Sequence, residues 1–144
     1  DQTISFGADL GYTHWSSFDK LEVKYANPLQ PESLSIFDWK DSWFASFGGD
    51  YRLDPNWTLR AGVAYDQTPT KDSTRDPRIP DGSRTWLSFG LGYKFSDDLK
   101  FEAGYVHLFV DNGSIDHVSP TFSTLVGHFE SSGNLLAVSG QWRF

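Results

Sequence analysis

Residues 84–110 read RTWLSFGLGYKFSDDLKFEAGYVHLFV, and this stretch decides the fold. From Thr85 to Phe95 the odd positions are almost all apolar, whereas the even positions are mostly small or polar. A period of two over this length predicts a β-strand whose two faces lie in unlike environments. A second alternating strand follows the tight polar turn at 96–98. The stretch therefore predicts a β-hairpin with one apolar face.

The same alternation recurs along the rest of the chain and predicts three further strands. They lie at 40–53, 57–66 and 134–144. The connections alternate in length, because the turns at 54–56 and 96–98 are minimal and the others are long and polar. The long connections are predicted at 27–38, 67–83 and 111–132. Short turns at one rim and long loops at the other are typical of bacterial outer-membrane barrels.

Residues 3–26 also alternate, but the apolar side chains change from even positions, as at Ile4, to odd positions, as at Leu21. One interpretation is a single long strand with a β-bulge at 15–18. The other is a hairpin that turns at Ser16-Ser17. The single bulged strand is favoured because it brings both ends of the chain to the rim of the short turns, as is usual for such barrels. It gives six strands in all.

Aromatic residues are the compositional outlier, at 17% of the 144 residues. Their recurrence near both ends of a strand, as at Trp57 and Tyr65, is typical of the two aromatic girdles of a membrane barrel. The sequence therefore predicts an all-β fold. It would be an antiparallel transmembrane β-barrel meander of about six long strands, in contact with outer-membrane lipid or with detergent. A lipocalin-like β-barrel that binds hydrophobic ligands, with the aromatic face in its core, stays open as an alternative.

Charge and cysteine content bound the chemistry. The net charge is -7, so no basic surplus exists to neutralise phosphates and no nucleic-acid partner is predicted. There is no cysteine, which excludes disulfides and thiolate metal sites. The four histidines do not fall at metal-ligand spacing, and neither a metal nor a cofactor is predicted. An outer-membrane lipid-modifying enzyme is a further alternative, but the Gly-x-Ser-x-Gly motif does not occur and the chain is predicted not to be an enzyme.

The chain ends in Gln141-Trp142-Arg143-Phe144, which closes an alternating strand. Trp142 and Phe144 lie on the apolar face of that strand. A terminal Phe in this context resembles the C-terminal signal of proteins that the outer-membrane assembly machinery inserts. Trp142 and Phe144 are therefore the predicted assembly signal, and the machinery is a predicted partner.

Several motifs in a fixed order carry a family resemblance. The most specific is PDGSRTW at 80–86, which belongs to a longer stretch that starts at Arg78. The others are THWSSF at 13–18, WKDSW at 39–43, WTLRAGVAYD at 57–66, GYVH at 104–107 and the last strand from Phe129 to Phe144. Together they resemble the C-terminal part of the FadL family, the outer-membrane transporters of long-chain fatty acids and other hydrophobic compounds. The resemblance covers essentially the whole chain.

The resemblance implies a fourteen-stranded barrel with an N-terminal plug, of which this chain matches about the last six strands. Residues 1–144 would then form a single barrel segment in the outer membrane of a Gram-negative bacterium. An open sheet edge in lipid leaves backbone groups unpaired, and each costs several kcal/mol. Further strands from the same or another chain are therefore expected to close the sheet.

The resemblance also implies a substrate, a long-chain fatty acid or another hydrophobic molecule, bound by an apolar pocket and a basic group for the carboxylate. The alternation directs Arg84 into the lumen beside Trp86, so these two residues are the first candidates for the site. Arg60 is a further candidate. The alternative interpretation is that Arg84 pairs with a lumen carboxylate, such as Asp66 or Asp81, and stabilises the rim.

Overall fold

The structure, a computed structural model, describes residues 3–27, 29–76, 80–119 and 123–144. The regular structure of these residues consists of eight β-strands and one turn of 3₁₀-helix, Trp15–Ser17. The strands are β1 (Ile4–Thr13), β2 (Lys20–Val23), β3 (Ser33–Ile36), β4 (Ser42–Arg52), β5 (Trp57–Asp66), β6 (Arg84–Lys94), β7 (Leu99–Ser119) and β8 (Ser123–Trp142). No helix among the described residues is long and apolar enough to span a membrane.

Six strands form one antiparallel meander in the order β1-β4-β5-β6-β7-β8, which confirms the predicted fold class. The predicted turns at 54–56 and 96–98 join β4 to β5 and β6 to β7. In the first turn, the amides of Asn56 and Trp57 donate to Asp54 Oδ1 at 2.7 and 2.8 Å. An Asx turn of this kind reverses the chain within a few residues, which explains why the connection is so short.

Each strand of this sheet has an inner and an outer face, and the register carries both faces from strand to strand. Gly62 and Ser88 are paired on the inner face, and Val63 and Leu87 are paired on the outer face. The large outer side chains are exposed, and Ile115 is the single buried hydrophobic residue in the described part of the chain. The aromatic face therefore has no protein core to fill, and lipid is the environment that suits it.

Aromatic residues on the outer face gather at both ends of the strands. Near the short turns the rings of Trp57 and Tyr93 lie 4.4 Å apart, and near the long loops those of Tyr12 and Trp43 lie 4.8 Å apart. Trp57 is the first residue of β5 and Tyr65 is the last but one, so they are separated by about 26 Å along the strand. A tilted strand of this length crosses most of an apolar band about 25 Å tall.

The prediction for the N-terminal segment is wrong. Residues 3–26 form neither a single bulged strand nor a hairpin turning at Ser16-Ser17. β1 ends at Thr13, and β2 pairs with β3 in a separate two-stranded sheet. Asp41 explains the exit from the main sheet, since the amide of Ser16 donates to Asp41 Oδ1 at 2.9 Å and turns the chain aside. The change of apolar phase therefore marks the start of an outer hairpin.

The connection predicted as a loop at 27–38 supplies β3, and Pro28 lies outside the described residues. The hairpin that β2 and β3 form is packed by rings. Trp39 lies 5.3 Å from both Trp15 and Phe18. At the other end of β1, Ile4 pairs with Tyr51 next to the first short turn. The start of β1 is therefore at the short-turn rim, as predicted.

The connection predicted as a loop at 111–132 is also corrected. β7 and β8 continue as a paired ribbon on both sides of residues 120–122, which lie outside the described residues. The segment is rich in Ser, Gly and Asp because most described residues of this ribbon are exposed, with Gly113 and Ile115 as the buried ones. It therefore shows no alternation that would predict strands.

A β-bulge separates this ribbon from the membrane part of β7. The register shifts between Val110 and Gly113, which places one extra residue in β7 and reverses its face pattern. As a result Ile115 turns inward and is 2% exposed. It faces the connection predicted at 67–83, in which no strand occurs among the described residues.

Candidate functional site

The inner face of the sheet forms a groove of about 670 Å³. Its floor consists of small residues in register, with Gly48 paired to Gly62 and Gly62 paired to Ser88. A Cβ at Gly62 would lie 2.9 Å from Ser88 Oγ, so larger side chains would close the floor. Trp86 lines the groove towards the long loops, and Val106 of β7 lines it on the next strand across the sheet. Small and apolar residues thus make up most of the wall, and its polar side chains include Ser5, Ser46, Ser88, Asp50 and Arg60.

Arg84 begins β6 at the long-loop end of the groove and is paired in register with Asp66. Its Nη2 lies 3.0 Å from Asp66 Oδ2 and 3.7 Å from Asp81 Oδ1. These are the two ion pairs that the alternative interpretation expected. One guanidinium and two carboxylates leave a local charge of about -1, which disfavours a further anion. The ligand role of Arg84 stays a prediction.

Trp86 lies one inner row below Arg84 and lines the groove. Its indole Nε1 and the Nε of Arg84 are buried and have no hydrogen-bond partner in the part of the chain that the structure describes. A buried donor without an acceptor is costly. The structure therefore brings Arg84 and Trp86 together, as predicted, with one unused donor on each.

Arg60 lies on β5 towards the short-turn end of the same groove. Its Nη2 is 3.1 Å from Glu102 Oε1, and both side chains are about half exposed. The guanidinium lies over Gly92, where a Cβ would be 3.3 Å from Nη1. Arg60 pairs with Gly90, six residues from Arg84 along β6, so the two arginines are about 20 Å apart along the sheet. The predicted site is thus divided between the two ends of the groove.

Sequence reasoning missed three cations near Arg60. Arg52, Lys94 and Lys100 line a second cavity of about 420 Å³ at the short-turn end, and Arg60 lines both cavities. The signal was present, because Lys94 and Lys100 flank the turn at 96–98 and the alternation places both on the inner face.

Sequence reasoning also missed how the loop at 67–83 covers the long-loop end. Arg75 is 4% exposed, and its Nε donates to the carbonyl oxygen of Asp81 at 2.9 Å. Its Nη1 donates to Asp72 Oδ1 and to the carbonyl oxygen of Ser114 on β7. The Thr68 hydroxyl donates to the Asp81 carboxylate. The loop thus fixes Asp81, the second partner of Arg84.

The PDGSRTW motif therefore contains two parts. Asp81 and Gly82 hold the loop against its neighbours, and Arg84 to Trp86 are the first residues of strand β6. Pro80 to Trp86 are described, whereas Arg78 and Ile79 of the longer stretch lie outside the described residues. A Cβ at Gly82 would lie 2.5 Å from the carbonyl oxygen of Asp111. Only glycine fits this close approach of loop and β7.

A third charged cluster lies outside the groove, where β1 meets β4. The Tyr12 hydroxyl donates to Asp41 Oδ2 at 2.5 Å, and His14 Nδ1 lies 3.1 Å from the same oxygen. Hydrogen bonds from the Tyr12 hydroxyl and the Ser16 amide hold the pKa of Asp41 well below its usual range. The carboxylate is therefore ionised at any physiological pH. Within the described residues, no group of three His, Asp or Glu side chains could hold a metal ion.

The two residues of the predicted assembly signal lie together at the end of β8. Trp142 pairs with Leu99 and is 72% exposed on the outer face, and its ring lies 6.4 Å from that of Phe144. They complete the aromatic girdle at the short-turn rim. Their role in assembly stays a prediction.

Comparison with known proteins adds the family context. A family model described as "Outer membrane protein transport protein (OMPP1/FadL/TodX)" matches residues 1–144. A long-chain fatty acid transport protein of Escherichia coli O6:H1 is 37% identical over 100 residues, which are 68% of this chain and 22% of the relative. Outer membrane protein P1 of Haemophilus influenzae is 37% identical over 97 residues, which are 67% of this chain and 21% of the relative.

A solved structure gives the same result for the fold. The crystal structure of a Pseudomonas aeruginosa FadL homologue matches with a TM-score of 0.89 and 36% sequence identity, over 99% of this chain and 33% of that chain. The chain spans about a fifth of the length of the curated relatives that it matches. The described sheet, with two unpaired edges at β1 and β8, is therefore part of the wall of such a protein.

Proposed function

The chain belongs to the outer membrane protein transport family OMPP1/FadL/TodX, and on this premise we propose that it forms part of a barrel that passes long-chain fatty acids or other hydrophobic molecules across the outer membrane. The observation that carries the proposal is the inner groove of about 670 Å³, because small and apolar residues make up most of its lining, with Arg60 towards the short turns and Trp86 towards the long loops. An apolar groove with a few placed polar groups suits an amphiphile.

Trp86 and Arg60 are the proposed contacts of the passing molecule. Trp86 offers the apolar surface of its ring to the groove, and Arg60 has a half-exposed guanidinium with a single carboxylate partner. Arg84 is the weaker candidate for the carboxylate, because Asp66 and Asp81 already hold it. Its proposed contribution is to shape the upper end of the groove beside Trp86.

The proposed partners follow from the surfaces of the segment. The outer aromatic face would contact outer-membrane lipid, and the two sheet edges would pair with further strands of the same or another chain. Trp142 and Phe144 would present the assembly signal to the insertion machinery. No catalytic function is proposed, since the Escherichia coli relative is a long-chain fatty acid transport protein and the groove supplies a path for a molecule.

A bulky side chain in the groove tests the proposal. Ala64→Trp on the inner face, introduced into a complete barrel of this family that contains these strands, is expected to obstruct the groove. Ala45→Trp is the matched control, because Ala45 lies on the outer face and is paired with Tyr65 of the neighbouring strand. Binding and uptake of oleate should fall in the first variant only. Equal binding and uptake in Ala64→Trp and wild type would reject the groove as the path.

A further inference from the structure

Three polar side chains meet on the outer face of β7 and β8, although the outer face of the described sheet is mostly apolar and aromatic. The Tyr105 hydroxyl donates to Asn134 Oδ1 at 2.7 Å, and His107 Nδ1 lies 2.8 Å from the same oxygen. His107 is paired in register with Asn134 on one side and with Leu87 on the other. Since Leu87 lies on the outer face, this outer polar cluster of Tyr105, His107 and Asn134 faces lipid.

The register gives the depth of the outer polar cluster in the membrane. Tyr65 and Phe109 belong to one row across the outer face, and Val63 and His107 belong to the next row towards the short turns. Such rows are about 7 Å apart along a strand, so His107 lies about 5 Å below the upper aromatic row once the strand tilt is included. The long loops of outer-membrane barrels are extracellular. The cluster therefore lies in the outer leaflet, just below the head groups.

The hydrogen bonds within the cluster use only part of its capacity. They join the Tyr105 hydroxyl and His107 Nδ1 to Asn134 Oδ1. The amide NH₂ of Asn134 is a further donor, and His107 Nε2 is an acceptor when Nδ1 carries the proton. Hydrocarbon offers these groups no partner, and polar groups are costly there. A donor and an acceptor side by side suit a ligand that carries hydroxyl and carbonyl groups.

The wall below the cluster leaves room for an alkyl chain. Tyr105 leans towards β8, because its hydroxyl reaches Asn134. The next outer-face residue of β7 is Ala103, which is paired in register with Leu91 of β6 and Val138 of β8. Leu91 and Val138 are both exposed. The small side chain between two larger apolar ones makes a shallow channel that leads from the cluster towards the middle of the membrane.

We propose that Tyr105, His107 and Asn134 form a binding site for lipopolysaccharide on the outer wall. The outer leaflet of the outer membrane consists of this lipid, and its amide- and ester-linked hydroxyacyl chains bring carbonyl and hydroxyl groups to the depth of the cluster. His107 and Asn134 bind these groups, Tyr105 orients the Asn134 amide, and the alkyl chain follows β7 past Ala103. The inference depends on the outer-membrane location of the family and not on the passage of a molecule through the groove.

The test compares two membrane lipids. In a complete barrel of this family that contains these strands, native mass spectrometry measures the binding of lipid A, the acylated anchor of lipopolysaccharide, and of phosphatidylethanolamine. The double variant His107→Leu/Asn134→Leu should bind lipid A about tenfold more weakly than wild type, with phosphatidylethanolamine unchanged.

A pair of single variants gives the matched control. Tyr105→Phe removes only the hydroxyl that orients Asn134, and it should weaken the binding of lipid A about threefold. Tyr51→Phe removes a hydroxyl from the outer face beside the turn at 54–56, far from the cluster, and it should change neither affinity. Equal affinities for lipid A in these two variants would contradict the role of Tyr105.

A lipid A whose acyl chains lack the hydroxyl groups gives a second measurement that needs no variant. Wild type should bind it several-fold more weakly than hydroxylated lipid A, because a hydrogen-bonding group is lost. An unchanged affinity for lipid A in the double variant would overturn the proposed site. An equal loss for lipid A and phosphatidylethanolamine would overturn it too, since it would show a general change in the wall. Equal binding of the two forms of lipid A by wild type would overturn the recognition of the hydroxyacyl chain.

Discussion

The arginines at the two ends of the inner face differ in the number of carboxylates that neutralise them. At the long-loop end Arg84 contacts two carboxylates, Asp66 and Asp81, and its side chain is 34% exposed. At the short-turn end Arg60 has one carboxylate partner, Glu102, and the same cavity is also lined by Arg52, Lys94 and Lys100. An arginine in a barrel lumen therefore does not mark a ligand site by itself. The surrounding charges decide whether it holds the wall together or attracts an anion.

The contrast extends to the segments that cover each end. At the long-loop end, the described part of the loop at 67–83 packs on β7, to which Arg75 ties it through the carbonyl oxygen of Ser114. The short-turn end has only the minimal turns at 54–56 and 96–98. Buried hydrogen bonds of Arg75 thus hold the long-loop end, whereas several cations line the cavity at the short-turn end. The following variants test this division, from the largest expected effect to the smallest.

Arg75→Ala should loosen the long-loop end most. The change removes a guanidinium that is 4% exposed and its hydrogen bonds to the carbonyl oxygens of Asp81 and Ser114, whereas the exposed Asp72 carboxylate can be hydrated instead. We expect the free energy of local opening to fall by about 2 kcal/mol. Hydrogen exchange of the Asp116 amide, which donates to the Asp72 carbonyl oxygen at 3.3 Å, measures it.

Lys71→Ala is the matched control for Arg75→Ala. Lys71 pairs with Asp38 at 2.7 Å, but both side chains are exposed, so its loss should change the local stability by less than about 1 kcal/mol. Similar exchange rates in the two variants would show that burial of Arg75 does not anchor the loop.

Gly92→Val should disturb the short-turn end without breaking the sheet. A Cβ at Gly92 would lie 3.3 Å from Arg60 Nη1, so the guanidinium must move away from the cavity. Oleate binding should weaken about fivefold, somewhat less than on loss of a charge-assisted contact. Gly127→Val is the control, because Gly127 lies in the β7–β8 ribbon away from the groove and a Cβ there meets open space within the described structure. An oleate affinity that is equal in both variants would contradict the role of Arg60.

The smallest effect is expected at Asp41. Its dependence on pH tests how the hairpin of β2 and β3 is held at the long-loop end. Because the pKa of Asp41 is depressed, its contribution is complete above the unfolded pKa and is lost only as the pH falls through the lower, folded value. The hairpin that it anchors should therefore stay attached from neutral pH down to about pH 4, near the ordinary aspartate pKa. Fluorescence of Trp15 and Trp39, taken as the difference between wild type and Asp41→Asn, should be constant over that range. A transition near neutral pH would contradict this account.

The alternation of residues 84–110 predicted the hairpin, its faces and its turn, because a membrane strand has two unlike sides and its side chains report them. The ribbon beyond Val110 was predicted as a loop because the bulge shifts the register and most of the ribbon is exposed, so no alternation remains to report it. The exit of the chain after Thr13 depends on Asp41, which is distant in sequence and acts through its side chain. Alternation reports a strand, but it does not report which strand is its partner.

The candidate site was predictable only in part, for the same reason. Alternation placed Arg84, Trp86 and Arg60 on the inner face, but it could not show that Arg84 meets two carboxylates while Arg60 meets one. Lys94 and Lys100 could have been predicted from their positions on either side of the turn at 96–98. Arg75 could not, because its burial depends on a loop that folds onto another strand.

The most direct measurement of the central claim compares the two arginines in one barrel. Binding of oleate and methyl oleate is measured for Arg60→Gln and Arg84→Gln in a complete barrel of this family that contains these strands. We expect Arg60→Gln to weaken oleate binding about tenfold with methyl oleate unchanged, and Arg84→Gln to alter neither by more than about twofold. The reverse pattern, with oleate binding lost in Arg84→Gln and retained in Arg60→Gln, would contradict the account.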